Sequence, residues 1–112
     1  MALFAKNRLS KKRDFDTVFK KGKATKGSFL FIKIAENNQQ ISRFGFVISS
    51  KVSGKAVIRN KISRVLADFI RIIMHKIRTG YDIIVIIKNG IVDSDKLRDD
   101  LENTLVIAKI IL

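Results

Sequence analysis

The chain has no cysteine, no proline and no tryptophan, and a single histidine, His75. Disulfides and thiolate metal sites are therefore excluded, as are ligand sets or triads that need more than one histidine. Acids are scarce, with 10 Asp and Glu against 23 Lys and Arg in 112 residues. Long apolar runs are missing as well. No run is longer than Ile83 to Ile87, which is far short of the ~20 residues that a membrane-spanning helix needs. The start, Met1 to Lys6, reaches a charge before it could form a signal-peptide core. With 46% hydrophobic residues the chain reads as globular rather than disordered. The expectation is one cytoplasmic domain over residues 1–112 with a modest core.

What the chain does have is positive charge, unevenly placed. Residues 1–64 carry 16 lysines and arginines against 3 acids (Asp14, Asp16 and Glu36), while residues 65–112 carry 7 of each. The whole net charge of +13 therefore lies in the first half. A generic soluble surface mixes the two signs, so this asymmetry points to a face for a polyanion, nucleic acid in the first place. An anionic membrane would require a basic amphipathic helix with an exposed apolar stripe.

Ser10 can cap a short helix running to about Lys21, with Phe15, Val18 and Phe19 on one stripe and Gly22 as its stop. Residues 28–35 and 41–49 read as strands joined by a polar stretch, and an antiparallel hairpin is expected of them. A long helix follows from about Lys55 to Arg78. Ile58, Ile62, Val65, Leu66, Phe69, Ile73 and Ile77 mark its buried face, and Asn60, Arg64, Ala67, Arg71 and Arg78 fall opposite. Asp82 to Lys88 holds the uninterrupted aliphatic run of a strand covered on both faces. Asn89-Gly90 is a turn signal. A last helix from about Asp95 has Leu97, Leu101, Leu105 and Ala108 as its stripe. This order of elements is that of an α+β sandwich.

Period-two alternation puts Leu30, Ile32 and Ile34 on one face of the first strand and Phe29, Phe31 and Lys33 on the other. On the next strand Phe44, Phe46 and Ile48 read as core, with Arg43, Gly45, Val47 and Ser49 on the opposite side. A face with aromatics, cations and a glycine suits unstacked bases. The competing reading is that Phe29 and Phe31 pack under the first helix.

The most specific segment is Lys55-Ala-Val-Ile-Arg59-Asn60-Lys61-Ile-Ser-Arg64, where Arg and Asn donors crowd the start of a helix and its free backbone amides. Those groups hold phosphates well, although a basic run on a helix is also an ordinary solvated face. A protein-based nuclease would have to draw on Asp93, Asp95, Asp99, Asp100 or Glu102, of which Asp95, Asp99 and Glu102 share a helical face. Acids in the first turns of a helix are more simply explained by its dipole.

Taken together, these segments resemble the bacterial ribonuclease P protein family. The family hallmark is an Arg-Asn-Arg helix preceded by a Ser-x-Lys-x-x-x-x-Ala-Val stretch. Here it appears as Ser49, Lys51, Ala56 and Val57, then Arg59-Asn60-Lys61. Asn7-Arg8-Leu9, Asp14-Phe15, Val18-Phe19-Lys20 and Gly22 match the first helix region. Arg43 and Gly45 match the second strand, and Tyr81-Asp82-Ile-Ile-Val the last. The departures are Lys61 for arginine, which keeps charge but loses the bidentate fork, Ser50 for a common lysine, and Ser63 and Ala67 where basic residues are usual. Fewer RNA contacts along this helix are expected in consequence.

The resemblance implies an α+β two-layer sandwich: a four-stranded sheet with three helices and a left-handed βαβ crossover, the ribosomal protein S5 domain 2-like arrangement. Right-handed crossovers would be the default on physical grounds. A fourth, short strand is expected near Lys23 to Lys26. It also implies a function: the protein component of the enzyme that removes the 5′ leader of precursor tRNA, with Mg²⁺ and the chemistry belonging mainly to a catalytic RNA subunit. Lys55, Arg59, Asn60, Lys61 and Arg64 are then expected on the catalytic RNA. Lys12, Phe15, Phe19, Phe31, Lys33, Arg43, Ser49 and Lys51 are expected around a cleft for the leader. No protein residue is expected to be catalytic or to hold a metal, and neither DNA nor a membrane is an expected partner. The alternative is a general RNA-binding assembly factor of ribosomal-protein type.

Overall fold

Residues 5–88 and 93–111 are described in a computed structural model of the chain; Asn89-Gly90 and Leu112 lie outside them. Three helices, α1 (Lys12–Lys21), α2 (Ala56–Ile73) and α3 (Ser94–Ile107), accompany four strands, β1 (Lys23–Lys26), β2 (Phe31–Glu36), β3 (Arg43–Ile48) and β4 (Tyr81–Ile87). The short strand expected near Lys23 is β1. The strands form one mixed sheet in the order β1-β2-β4-β3, giving an α+β sandwich.

That order corrects the expected hairpin. β2 and β3 are consecutive in sequence but do not pair, because β4 lies between them, antiparallel to β2 and parallel to β3. The reason is in β4 itself. Ile83 to Ile87 are all buried, so this strand needs cover on both faces and partners on both edges. β2 and β3 each have a wetter face and flank it. The parallel pair β3 and β4 is joined through α2, a βαβ unit.

On one face of the sheet α2 and α3 bury Ile32, Phe44, Ile83, Val85 and Ile87 together with Ile62, Leu66, Ile70, Leu97, Leu101 and Leu105. Each such side chain contributes roughly 1.5–3 kcal/mol by leaving water. The opposite face is only partly covered. There α1 and the preceding segment put Val18 and Leu9 on Ile84 and Ile86, with Phe15, Phe31 and Ala35 around them.

Several boundaries differ from expectation, each for a local reason. α1 begins after Lys11 and not at Ser10, and no side-chain hydrogen bond caps it. β2 begins only at Phe31 because the N–H groups of Ser28, Phe29 and Leu30 are taken by the Asp100 carboxylate on α3, at 2.8, 2.8 and 3.1 Å. α2 ends at Ile73. A 3-10 turn over Met74–Lys76 then releases Ile77 to bridge Ile111, and the Arg78 N–H donates to the Ile110 carbonyl at 2.9 Å. Ile110 and Ile111 are thus packed. Ala67, expected on the outer side of α2, is buried, and Ile70 joins the buried stripe. α3 begins at Ser94, capped by Asp93, which accepts from the N–H groups of Asp95 and Lys96. No helix among the described residues is long and apolar enough to cross a membrane.

Candidate nucleic-acid interface

Strand register sorts the partly open face into rows. Ala35, Asp82 and Arg43 form one, Lys33, Ile84 and Gly45 the next, and Phe31, Ile86 and Val47 the third. Lys88, just past the end of β4, continues in the same direction. α1 occupies the middle row. Phe15 lies on Gly45, where a Cβ would come within 2.5 Å of its ring, and buried Val18 packs with Ile84.

The third row stays accessible. Val47 is exposed and Phe31 half-buried, with the Lys88 ammonium 5.3 Å from the Phe31 ring centroid. Phe19, 41% exposed on the last turn of α1, has the Lys33 ammonium 5.9 Å from its ring centroid. That ammonium also donates to the Phe19 carbonyl at 3.1 Å. Two rings, each with its own cation, therefore stand on one surface, a combination that takes a base on the ring and a phosphate on the ammonium. Phe29 is exposed; Phe31 belongs in part to the packing under α1.

Beside this surface the chain leaves β3 and turns toward α2. Ser49 is half-buried and its hydroxyl accepts from the Lys51 N–H at 3.1 Å, shaping the turn; Lys51 and Lys55 are exposed. Arg59 is half-buried and donates to the Ser53 carbonyl at 2.8 Å, so it ties the loop to the helix it precedes. Asn60, Lys61 and Arg64 are exposed. No acid occupies the first turn of α2 and no side chain caps it, which leaves its positive end uncompensated. Lys12 is exposed at the start of α1.

A groove of about 580 Å³ separates α2 from the segment before α1, with Arg8 and Arg64 on its sides and Phe15, Phe46, Ser63 and Ala67 along it. The segment is held by the Leu9 N–H on the Phe44 carbonyl at 2.8 Å and by Asn7, whose amide donates to the Ser42 carbonyl at 2.9 Å. Ser63 and Ala67, the two uncharged departures from the family pattern, thus line a groove and are not on a solvated outer side.

Arg43 stands apart from this surface, in the row farthest from Lys88. Its guanidinium donates twice to Asp82, at 2.8 and 2.7 Å, and lies 3.4 Å from Asp14. Donating to Asp82 raises the Arg43 pKa above its ordinary value against the opposing effect of burial. Asn37 adds a hydrogen bond to Asp82 at 2.9 Å. This position is a clamp between strand ends.

Of the five acids considered for metal-dependent chemistry, four are engaged elsewhere and Asp99 is exposed. Asp93 caps α3, Asp95 pairs with Arg98, Asp100 holds three backbone amides, and Glu102 lies 3.8 Å from Lys76. Among the described residues no group of three or more His, Cys, Asp or Glu is placed to hold a metal ion. Sequence reasoning missed Lys88 and Arg8. Period two continued from Ile84 and Ile86 would have put Lys88 on the open face, whereas Arg8 needed the tertiary groove.

The chain matches the ribonuclease P family over residues 3–109. It is 43% identical over 88 residues to the ribonuclease P protein component of Alkaliphilus oremlandii, covering 79% of this chain and 76% of that one. It is 35% identical over 108 residues to that of Pseudanabaena, covering 94% and 93%. Its fold is similar to the RNase P protein of Staphylococcus aureus, with a TM-score of 0.85 at 29% identity over 95% of this chain and 98% of the other. The corresponding values for Thermotoga maritima are 0.77, 32%, 86% and 92%.

Proposed function

The chain belongs to the ribonuclease P protein family, and from that premise we propose that it binds a catalytic RNA subunit and the 5′ leader of precursor tRNA in the cytoplasm. Cleavage of the leader is then RNA-catalysed. Mg²⁺, held mainly by the RNA, supplies the activation of water and the stabilisation of phosphoryl charge, while this chain positions and neutralises. Lys55, Asn60, Lys61 and Arg64 face the catalytic RNA, and Arg59 supports them by fixing the loop before α2. Phe19, Phe31, Lys33 and Lys88 face the leader, with Ser49 and Lys51 at its margin, Lys12 at its entry and Phe15 as its wall.

The observation that carries this reading is the pairing of Phe19 with Lys33 and of Phe31 with Lys88 on the open part of the sheet. A single-stranded leader presents base faces and phosphates in alternation, which matches ring and ammonium in alternation. Duplex recognition by groove edges would not need rings.

Reconstitution tests it. Purified protein, a matching ribonuclease P RNA and precursor tRNA at low Mg²⁺ should give cleavage at the 5′ end that neither the protein nor, at that Mg²⁺, the RNA gives alone. Arg64→Ala should weaken binding of the RNA subunit by about 1–3 kcal/mol and lower the salt dependence by the equivalent of about one phosphate. Cleavage by homogeneous RNA-free protein, or equal retention of ribosomal RNA, would sink the assignment.

A further inference from the structure

We infer that the end of the molecule around Arg78 and Lys109 is a second contact for RNA backbone, taking a helical segment of the catalytic RNA remote from the start of α2. The inference rests on the functional reading above and extends it to a surface that the hallmark residues do not reach. An open cavity of about 980 Å³ lies here, with Lys21, Lys23, Arg78 and Lys109 around it. Arg43 and three carboxylates line it too; Asp14 and Asp82 share the one guanidinium of Arg43, and the five cations and three carboxylates of the lining leave a net charge of +2. None of Lys21, Lys23, Arg78 and Lys109 makes an ion pair among the described residues. This cluster and the start of α2 are separated by the length of an 18-residue helix, about 27 Å at 1.5 Å per residue.

Lys109 is the most telling member. It has φ +64° in the turn that ends α3, where the Ile110 N–H returns to the Leu105 carbonyl and the Lys109 N–H to that of Val106. Glycine is the residue this left-handed position favours. A lysine is kept there at a conformational cost, and its carbonyl is 3.4 Å from the Arg78 guanidinium. Lysine near a helix C-terminus also gains from the dipole, so stability is the reading to be separated. The ligand is backbone and not unstacked bases, since the aromatic ring on this cavity, Tyr81, is half-buried and packed against the core. A regular duplex offers phosphates without bases to stack, and that fits.

Lys109→Gly separates the two readings, because glycine keeps the left-handed turn. The glycine change should leave the melting temperature equal or higher, both alone and when combined with Arg78→Gln. Binding of the catalytic RNA, transcribed without substrate, should weaken about tenfold in the double variant. The slope of log K against log salt should fall by about 0.9 for each phosphate that is no longer neutralised. Since the chain has no cysteine, Lys109→Cys can carry a tethered hydroxyl-radical source. It should cut that RNA at positions different from those cut from Lys61→Cys. Unchanged affinity and slope in the double variant, while Arg64→Ala lowers both, would overturn the second contact and leave the first standing. A wild-type protein without affinity for this RNA would overturn the functional reading and the inference with it.

Discussion

The ring of Phe15 rests on the backbone of Gly45, so closely that a Cβ at position 45 would lie 2.5 Å from Cζ and 2.7 Å from Cε1. One missing side chain on β3 thereby lets α1 settle onto the sheet and makes Phe15 a wall shared by the open face and the groove toward α2.

Gly45→Ala should displace Phe15 and destabilise the fold by about 1–3 kcal/mol, the usual cost of overpacking. Because the ring cannot stay where it is, binding of leader-bearing precursor should weaken below the new melting temperature, and mature tRNA should be affected less. Melting curves with parallel binding assays check this. A stable variant with wild-type precursor affinity would remove Phe15 from the cleft.

Phe19 and Phe31 should separate into a surface ring and a half-core ring. Phe19→Ala is expected to leave melting nearly unchanged, since 41% of the residue is already exposed, and to weaken precursor binding by about 1–3 kcal/mol. Phe31→Ala removes a ring that also packs with Val18 and Ile86, so a stability loss of ~2 kcal/mol should accompany its binding defect. Equal weakening of precursor and mature tRNA by Phe19→Ala would contradict base stacking.

Arg43→Ala should act on folding first. Asp82 is buried, at 6% exposure, and would keep only Asn37 as a side-chain partner, at an expected cost of ~3 kcal/mol. Arg43→Lys should recover part of this, because a single ammonium cannot reproduce the two-point fork. Chemical denaturation of both variants measures it. A leader-binding defect in a fully stable Arg43→Ala protein would reverse this assignment.

Asp100→Ala should test whether the acids of α3 are structural. Three N–H groups, those of Ser28, Phe29 and Leu30, would be left without their acceptor, with an expected destabilisation of ~3 kcal/mol. Below its melting temperature the variant should support single-turnover cleavage by the RNA at the wild-type rate. Abolished cleavage in a folded protein would point instead to a direct part in the chemistry.

Much of the fold could be read along the chain because its signals are local. The aliphatic run at Ile83–Ile87 identified a doubly covered strand, and the i, i+4 leucines of α3 identified its buried stripe. Alternation in β2 and β3 sorted Ile32 and Phe44 from Phe31 and Lys33. The basic first half pointed to a polyanion partner, and the spaced Ser49–Arg64 motif carried the resemblance to the family.

Neighbours across space were not legible in the same way. Alternation states which face a side chain takes but not which strand lies alongside, and so the sequence of β2 and β3 reads as a hairpin although β4 lies between them. Basic residues look alike in sequence. Tertiary contacts divide them into Arg43, held by two carboxylates, Arg59, bent onto a loop carbonyl, and Asn60, Lys61 and Arg64, left to solvent. The sequence by itself determined the charge and most of the elements, and its spaced motif residues carried the resemblance to the family. Only the packed structure decided which charges are already satisfied within the protein, because a partner such as Asp14 or Asp82 stands 29 or 39 residues from Arg43 in the chain and is brought within hydrogen-bonding distance only by folding.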